Sequence, residues 1–498
     1  MSLAHAHTAS IARASSSSAP RAPRVSRLGA RRRADAPTAR ATTSPDTDAR
    51  DGAAGANIVI LGGGFGGLYT ALKLDALEWR AGAPRPTITI VDRADRFVFK
   101  PLLYELVNET LASWEVAPTF AELLAPTNVK FVKGDVVGFE PENARVARDG
   151  TPCSTDGGTC ALRDGGTVPY DYLVLALGTS TSDGGVIGAK ENAIALNTAE
   201  DAERMAKVLG DLERDGKSPR VAVIGGGLSG VELSAVIAER LAGKSAGGIV
   251  DMITPSGRVM AGAPPGQREA AMKVLDKANV NVVGGRVTRL DRVEAADDAG
   301  APSVATKVTM NDANGEESEQ MYDLVCWTVG QRAETPSDWP LSMTATRKVK
   351  TDATLRVNGH SRVYAVGDAS SSAADLMDTN FDVLPSTAQV AFQQADYAAW
   401  NVWASINGRS ALPFRYQHIG DMMVLGALDA AVALPVGDIT IDGPAAAALR
   451  RVAYLYRMPT NEHRIKVAQR WLEDGVEDFA RDPAAFLARL PNPFATFP

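Results

Sequence analysis

Short apolar runs rich in β-branched residues alternate along the chain with glycine clusters and longer apolar stretches. The first run, Asn57–Leu61 (NIVIL), leads into a glycine cluster, then into an apolar stretch over Leu68–Leu77 and a second run at Thr87–Val91 (TITIV). Continuous apolar runs of this length are typical of buried parallel strands, and the longer stretch has the spacing of a packed helix. The order predicts a strand–helix–strand unit.

The same pattern returns about 160 residues later in the chain. It consists of a run at Arg220–Ile224 (RVAVI), a helix over Val231–Leu241 and a run at Ile249–Ile253 (IVDMI). Alternation of parallel strands with helices is typical of doubly wound domains. We therefore predict an α/β fold with two Rossmann-like, three-layer dinucleotide-binding domains.

The first glycine cluster places Gly62, Gly64 and Gly67 at the three positions of a G-x-G-x-x-G motif. The first glycine makes the tight turn, the second lets a pyrophosphate approach the backbone, and the third brings helix and strand together. Asp92 ends the next strand, where an acid accepts hydrogen bonds from ribose hydroxyls. The alternative is a glycine-rich turn without a ligand, which the ordered strand, loop, helix, strand and acid disfavour.

The second cluster places Gly225, Gly227 and Gly230 in the same motif, but Thr254 stands where the acid is expected. Loss of the acid removes repulsion toward a 2′-phosphate, and Arg258 can pair with that phosphate. This loop is predicted to bind NADPH at least as well as NADH; binding of NADH without the acid remains the alternative. Two dinucleotides in one chain predict hydride transfer between them.

Charge is unevenly distributed over the 498 residues. Residues 1–50 carry nine Arg, no Lys and three Asp, or +6 of a net charge of −7, which leaves −13 on the rest. An acidic body argues against nucleic-acid binding. The Arg- and Ser-rich leader is typical of a transit peptide, with a plain disordered tail as the alternative. No run of 18 apolar residues occurs, which predicts a protein that is soluble or lies on a membrane surface.

Cysteine and histidine usage predicts neither a disulfide scaffold nor a metal site. The three cysteines are too few for either, and the histidines beyond the leader are far apart in sequence. Cys153 and Cys160 flank a predicted loop, where they are two loop thiols or, alternatively, a regulatory disulfide.

Several further motifs resemble those of one flavoprotein family. They are Phe97–Leu106 (FVFKPLLYEL), Leu173–Gly178 (LVLALG), 327–331 (WTVGQ), Val363–Asp368 (VYAVGD) and Leu384–Tyr397 (LPSTAQVAFQQADY). Over residues 57–475 the chain resembles the two-dinucleotide-binding flavoproteins, and within them the type II (alternative) NAD(P)H:quinone oxidoreductases. Tyr454–Val467 (YLYRMPTNEHRIKV) is similar to the type C enzymes of plants and cyanobacteria.

The resemblance implies an FAD-dependent enzyme that passes hydride from NADPH or NADH to FAD and then reduces a prenylated quinone of the plastoquinone or demethylphylloquinone class. It implies a chloroplast location at the thylakoid or plastoglobule surface, with the mitochondrion as a second destination. Without a spanning helix, no proton pumping is expected. The expected domains are a transit peptide (1–52), an FAD domain in two segments (53–190 and 346–425), an inserted NAD(P) domain (191–345) and a C-terminal membrane-association region (426–498).

The resemblance also implies the ligand-contacting residues. Those for FAD are Gly62, Gly64, Phe65, Gly67, Asp92, Gly178, Asp368, Ala388 and Gln389. Those for the nicotinamide dinucleotide are Gly225, Gly227, Gly230, Thr254, Arg258 and Gly330.

Four residues are expected to take part in the chemistry. Glu232 matches an acid that relays a proton in similar enzymes, although a glutamate in a helix first turn is also simply favourable electrostatically. Gln389 and Gln393 share a helix face, where their amides bind a quinone carbonyl or are merely solvated. Lys100 either stabilises charge on the reduced flavin or extends into solvent.

The C-terminal region contains two amphipathic stretches. In the first, an apolar stripe recurs at helical spacing, with arginines on the other faces; it comprises Ala445, Ala448, Leu449, Val452 and Tyr456. In the second, Val467, Trp471 and Leu472 are set against Lys466 and Arg470. Basic, aromatic-bearing amphipathic helices suit a membrane surface. Packing onto the body of the protein, or onto a second copy in a homodimer, is the alternative.

Two other functions remain open from the sequence. One is a soluble NAD(P)H-dependent reductase of a protein electron carrier. The other is a non-catalytic flavoprotein that uses its cofactors to bind a partner.

Overall fold

The computed structural model describes the greater part of the chain beyond the leader. The described residues are 55–80, 82–141, 144–146, 152–154, 157–216, 218–243, 247–296, 302–372, 384–427, 429–435 and 439–481. The transit peptide expected over 1–52 lies outside them.

The secondary structure alternates strands and helices, with two 3-10 turns at Lys100–Leu102 and Gly367–Ala369. The helices are α1 (Phe65–Ala76), α2 (Leu103–Val107), α3 (Ser113–Val116), α4 (Phe120–Leu124), α5 (Ala189–Asn192), α6 (Ala199–Arg214), α7 (Leu228–Ala242), α8 (Pro265–Lys277), α9 (Ala388–Ile406), α10 (Gly443–Tyr456) and α11 (Asn461–Arg481). The strands are β1 (Asn57–Leu61), β2 (Thr87–Asp92), β3 (Lys130–Lys133), β4 (Val136–Pro141), β5 (Ala144–Val146), β6 (Pro152–Ser154), β7 (Gly158–Leu162), β8 (Thr167–Tyr170), β9 (Tyr172–Leu175), β10 (Thr179–Thr181), β11 (Ile194–Ala195), β12 (Arg220–Ile224), β13 (Ile249–Thr254), β14 (Val280–Gly284), β15 (Arg286–Ala296), β16 (Pro302–Asn311), β17 (Glu317–Tyr322), β18 (Leu324–Trp327), β19 (Gln331–Ala333), β20 (Val349–Thr351), β21 (Val363–Ala365), β22 (Ser370–Ser372), β23 (Asp421–Val424), β24 (Ala430–Ala433) and β25 (Thr440–Asp442).

A parallel sheet of order β21-β9-β1-β2-β3 forms the middle layer of the first nucleotide-binding unit. Alternate side chains of β1 point to opposite faces, as in any strand. Ile58 and Ile60 pack with Leu68 of α1, and α1 also contacts α9. Val59 and Leu61 instead pack toward the antiparallel sheet β4-β7-β8. The result is a helix layer, a parallel sheet and an antiparallel sheet.

The second unit repeats this layering around a parallel sheet of order β11-β18-β12-β13-β14. Val221 and Val223 pack with α7, whereas Ala222 and Ile224 pack against the antiparallel sheet β15-β16-β17. After this sheet the chain returns to the first one through β21. The predicted fold class, with the second Rossmann-like unit inserted in the first, is confirmed.

The region around the predicted cysteine loop differs from expectation. Cys160 lies in β7 and is fully buried, and the backbone of Cys153 lies in β6, so both cysteines lie in strands and Cys160 is not a loop thiol. Cys160 is a free thiol, and burial raises its pKa to about 12. The side chain of Cys153 lies outside the described residues, and the disulfide remains a hypothesis.

The C-terminal helices α10 and α11 have one buried and one exposed face each. In α10 the predicted stripe is exposed, with Val452 at 65% and Tyr456 at 67%. In α11 Leu472 is 70% exposed, but Val467 is fully buried. Trp471 is half-buried and donates its indole N–H to Glu115 Oε1 at 2.9 Å, so part of this apolar stretch packs onto the body of the protein, the alternative that the sequence left open. Among the described residues no helix is long and apolar enough to cross a membrane.

Candidate functional site

The first glycine loop runs from the carboxyl end of β1 into α1. Gly62 has a φ of +99°, and a Cβ there would collide with the carbonyl of Ala176. A Cβ at Gly67 would collide with the carbonyl of Gly62, because helix and strand are in contact at this point. Gly64 has no atom within 4 Å of the same position. Its open side, at a helix N-terminus, suits the close approach of a pyrophosphate.

Asp92 is fixed beside this loop at the end of β2. Its Oδ2 accepts the backbone N–H of Gly63 at 2.6 Å, and its Oδ1 accepts that of Ala94 at 2.8 Å. These bonds hold the carboxylate at the edge of the loop, where it retains acceptor capacity for ribose hydroxyls.

A second cluster of polar groups lies at the carboxyl ends of β9 and β21. Asp368 Oδ2 accepts a hydrogen bond from the hydroxyl of Thr179 at 3.2 Å. Thr179 directly follows Gly178, which has a φ of +70°. The turn before Asp368 is held by Gln394, whose Oε1 accepts the N–H of Gly367 at 2.6 Å. Sequence reasoning missed Gln394, although it follows a glutamine that was singled out. Its 2% exposure shows that it packs inward from α9.

The residues predicted to flank the flavin come together around α1. The ring of Phe65 packs edge-on against Phe97 and Phe99, with centroids 5.1 Å away in both cases. Ala388 begins α9, which packs on α1. Lys100 opens the 3-10 turn after Phe99, and its side chain is exposed. Glycine loop, acid, Asp368 turn and aromatic wall supply the contacts that FAD requires.

The second glycine loop repeats the geometry of the first. Gly225 has a φ of +121°, and a Cβ at Gly230 would collide with the carbonyl of Gly225. Gly227, like Gly64, has no atom within 4 Å of the position that a Cβ would take. Gly330, with a φ of +71°, follows β18 at the carboxyl edge of the same sheet. The loop therefore fits a second dinucleotide.

Thr254 and Arg258 lie where the sequence placed them. Thr254 ends β13, is buried, and its hydroxyl donates to the carbonyl of Arg258 at 3.4 Å. The side chain of Arg258 is exposed. Asp251, by contrast, is buried and accepts two hydrogen bonds from Arg220, at 3.0 and 2.8 Å. These bonds give Asp251 a structural role inside the unit.

Glu232 is the most perturbed acid near the second loop. It lies in α7, is 6% exposed, and its Oε1 accepts the backbone N–H of Val424 at 2.9 Å. Tyr104 donates a further hydrogen bond to the carboxyl. Burial outweighs both bonds and raises the pKa of Glu232 to about 7. A carboxyl of this kind can hold or release a proton near neutral pH.

Gln389 and Gln393 share a face of α9, as predicted, and both bind the segment that follows this helix. Gln389 Nε2 donates to the carbonyl of Gly420 at 2.9 Å. Gln393 exchanges two hydrogen bonds with the backbone of Gln417, at 2.8 and 2.9 Å. The alternative of merely solvated amides is therefore wrong, because the backbone of 417–420 bonds to both side chains. Each amide retains one N–H beyond these bonds.

Two of the three histidines of the described residues are buried, and none of the three belongs to a metal-ligand cluster among those residues. No group of three or more His, Cys, Asp or Glu side chains among those residues could hold a metal ion. His360 and His463 are both buried, and burial lowers the pKa of each imidazole. His463 Nε2 lies 3.1 Å from the carbonyl of Glu115, so this histidine of α11 packs against α3.

Sequence comparisons agree with this geometry. The family profile described as pyridine nucleotide-disulphide oxidoreductase matches residues 56–395. A chloroplastic/mitochondrial alternative NAD(P)H-ubiquinone oxidoreductase C1 of Arabidopsis thaliana is 42% identical over 432 residues, covering 84% of this chain and 81% of that protein. A demethylphylloquinone reductase of Synechocystis is 38% identical over 438 residues, covering 88% of this chain and 99% of that protein.

Solved structures share the fold. The NDH2 of Plasmodium falciparum in complex with NADH has a TM-score of 0.66 at 17% identity, covering 84% of this chain and 98% of its own. A sulfide:quinone oxidoreductase of Aquifex aeolicus has a TM-score of 0.62 at 19% identity, covering 80% and 90%. Together with the profile and the two relatives, they show that the chain belongs to the pyridine nucleotide-disulphide oxidoreductases and, within them, to the type II NAD(P)H:quinone oxidoreductases.

Proposed function

We propose that this protein is an FAD-dependent NAD(P)H:quinone oxidoreductase that reduces a prenylated quinone by two electrons. The observation that carries the proposal is the pair of glycine loops, each open at its second glycine, at the carboxyl ends of two parallel sheets in one chain. Bound FAD supplies the electron chemistry, accepting hydride from NAD(P)H and passing two electrons to the quinone.

The residues of the chain bind, orient and supply protons. Gly64 and Asp92 hold the adenosine pyrophosphate half of FAD, while Asp368, fixed by Thr179, holds the ribityl hydroxyls. Glu232 carries a proton at its Oε2, because its Oε1 accepts from Val424. The remaining N–H groups of Gln389 and Gln393 orient a quinone carbonyl, and Lys100 supplies positive charge beside the flavin.

The nicotinamide dinucleotide is held at Gly225, Gly227 and Gly330, with NADPH accepted at least as well as NADH. The buried Thr254 brings no charge to the ribose position, and the exposed Arg258 is available for a 2′-phosphate. We place the domain boundaries at 53–190 and 346–425 for FAD, and at 191–345 for NAD(P).

The names of two relatives support the proposed substrate and location. One is named for a ubiquinone and for the chloroplast and mitochondrion, the other for demethylphylloquinone in a cyanobacterium. Both names specify a quinone, and for this chain we propose one of the plastoquinone or demethylphylloquinone class; residues 1–52 would act as the plastid transit peptide. Thylakoid and plastoglobule surfaces are the proposed sites of action, with the mitochondrion as a second destination.

Residues 426–498 are proposed to hold the enzyme on the membrane that contains its quinone. The exposed apolar stripe of α10, with Leu449, Val452 and Tyr456, is joined by Ile465 and Leu472 of α11. Such a surface suits the boundary between headgroups and acyl chains, from which a prenyl tail enters the protein. A homodimer formed through these helices would instead cover the stripe.

Anaerobic stopped-flow of the FAD-loaded protein tests the proposal. The protein is mixed with NADPH or NADH, and then with a short-tailed plastoquinone or naphthoquinone, while flavin absorbance is followed. Fast bleaching and fast reoxidation by quinone are expected. Bleaching without reoxidation by quinone would refute the quinone assignment and favour a protein electron carrier, and absence of bleaching would favour a non-catalytic role.

A further inference from the structure

A cluster of buried ionisable side chains lies where α10 meets α2 and α7. Its members come from three separate parts of the chain and are each 3–8% exposed; they are Tyr104, Glu105, Glu232, Arg450 and Tyr454. Of these five, Glu232 is the one that the sequence predicted as a catalytic residue.

Arg450 reaches inward from α10, the helix whose other face carries the exposed stripe. Its guanidinium lies 2.7 Å from Glu105 Oε1 and donates to the carbonyl of Pro101 at 3.1 Å. It also stacks 4.8 Å from the ring centroid of Tyr454. Arg450 Nε and Glu105 Oε2 have no hydrogen-bond partner among the described residues. The pair is therefore a single contact rather than a closed bidentate one.

Both charges also act on Glu232. Burial raises the pKa of this carboxyl, hydrogen bonds from Val424 and Tyr104 lower it, Arg450 lowers it further, and Glu105 raises it. The hydroxyl of Tyr104 is itself bonded to Ser229 of α7. The two charges that act on the acid thus come from α2 and α10, and they have opposite signs.

We propose that Arg450 and Glu105 are positioning residues that act in opposite directions on the proton held by Glu232, so that α10 helps to set when this proton is released. The inference rests on the proposed function, which takes Glu232 as the carrier of one proton per quinone. Reduction of a quinone to a quinol needs two electrons and two protons. Hydride from NAD(P)H brings both electrons and one proton, and the second proton comes from solvent through Glu232, whose O–H bond breaks as a quinol O–H bond forms.

The protonation of Glu232 can be read without turnover. The carboxyl C=O stretch is titrated by infrared difference spectroscopy in the full-length, oxidised, FAD-loaded protein, and the band is assigned by its loss in Glu232→Gln. We expect Arg450→Met to move the midpoint upward and Glu105→Gln to move it downward, each by about one pH unit. Arg450→Lys, which keeps the charge, should restore most of the shift. Arg451→Met, at the next position of the same helix, should leave the midpoint unchanged.

Quinone kinetics give the second readout. The pH profile of kcat with a short-tailed quinone should move in the same direction as the infrared midpoint in each variant, with KM for NAD(P)H unchanged. Because Arg450→Met leaves Glu105 buried without its partner, the double variant Arg450→Met/Glu105→Gln serves if the single one does not fold, and its midpoint should lie close to the wild-type value. Equal midpoints in all variants, shifts of one sign, or a kcat profile that ignores the midpoint would overturn the inference. Failure of the wild type to reduce any quinone would instead refute the proposed function. The infrared midpoints alone would then show whether Arg450 and Glu105 act in opposite directions on the proton of Glu232.

Discussion

At the scale of single residues, the two glycine loops show which positions serve the fold and which are free to serve a ligand. Gly67 and Gly230 are in contact with the carbonyl that begins their own loop, so any side chain would push helix and strand apart. Gly64 and Gly227 each stand directly before the first residue of a helix, and no atom lies within 4 Å of the position that a Cβ would take. An added methyl group at these two glycines meets protein nowhere and therefore reports on the ligand alone.

We predict that Gly64→Ala and Gly227→Ala fold normally but separate the two binding sites. Gly64→Ala should lower FAD occupancy, because a Cβ occupies the space that the pyrophosphate approaches, and weaken FAD binding about tenfold, or about 1.4 kcal/mol. Gly227→Ala should keep FAD and raise KM for the nicotinamide dinucleotide by a similar factor. The flavin-to-protein absorbance ratio and steady-state kinetics measure the two effects.

The matched control for both variants is Gly262→Ala, at an exposed glycine that also has no atom within 4 Å of a Cβ. It should retain FAD and ordinary KM values. If Gly64→Ala binds FAD as well as this control does, the first loop is not where the pyrophosphate lies.

Arg258 carries the second prediction at this scale, because it is the basic side chain closest in sequence to Thr254, the position where an acid is missing. Arg258→Ala should lower kcat/KM for NADPH about tenfold and leave that for NADH nearly unchanged, since only NADPH has the 2′-phosphate. Arg258→Lys should retain part of the preference. Equal losses for the two dinucleotides would assign Arg258 to a general packing or pyrophosphate role instead.

At the scale of elements, α10 presents different side chains on its two faces. Its inner face carries Arg450 and Tyr454 into the cluster around Glu232, while its outer face exposes Leu449, Val452 and Tyr456. A helix of this kind connects whatever covers its outer face to the charges on its inner face. Helix α11 is anchored similarly, through Val467 and Trp471, and exposes Leu472.

We predict that Val452→Asp together with Leu472→Asp abolishes binding to lipid without harming the nucleotide sites. Each substitution removes an apolar side chain whose burial contributes about 1.5–3 kcal/mol and puts a charge in its place, and both side chains lie outside the core. Flotation with uncharged phosphatidylcholine vesicles measures binding, because these vesicles do not attract the Arg-rich leader electrostatically. Activity with a short-tailed quinone should persist, while activity with a long-tailed quinone in vesicles should fall.

Val304→Asp provides the comparison, since Val304 is 48% exposed on a strand of the second unit, far in sequence from the C-terminal helices. It should float like the wild type. If the Val452→Asp/Leu472→Asp variant floats as well as Val304→Asp does, the stripe does not contact lipid. A concentration-dependent dimer in solution would then account for the exposed stripe.

The limits of prediction from the sequence also lie at this scale. Strands β1 and β12 and both glycine loops could be placed because each is encoded by a few adjacent residues. The roles of Gln394 and Arg450 could not, since Arg450 meets Glu105 across 345 positions of sequence. The burial of Val467 could not be predicted for a similar reason. Amphipathic spacing shows which face of a helix is apolar, but it does not show which neighbour covers that face.

At the scale of the whole molecule, Glu232 connects the second nucleotide unit to both segments of the first unit. Its hydrogen-bond partners are Tyr104 of α2, which precedes α7 in the sequence, and Val424 of β23, which follows it. Ionising this carboxyl therefore places a charge inside an interface that holds three regions together. The stability of the folded protein should respond to it.

We predict that the wild type loses stability relative to Glu232→Gln as the pH rises. The pKa of Glu232 is raised to about 7 in the folded protein, whereas an unfolded glutamate titrates near 4.3, a typical value. Below about pH 4 both states are protonated, and the favourable effect of the neutral buried carboxyl is fully present. Between these two pKa values the folded state holds the proton more tightly, so stability falls with rising pH until it levels off above about pH 7.

The difference between pH 5 and pH 8 should be on the order of 2 kcal/mol, seen as a Tm of the FAD-loaded wild type that drops relative to the Gln variant. Glu317→Gln, at an exposed strand position, should follow the wild type at every pH. A wild-type Tm that rises relative to Glu232→Gln over this range would mean that the carboxyl is ionised and stabilised in the folded state, and it would remove Glu232 from the proton path.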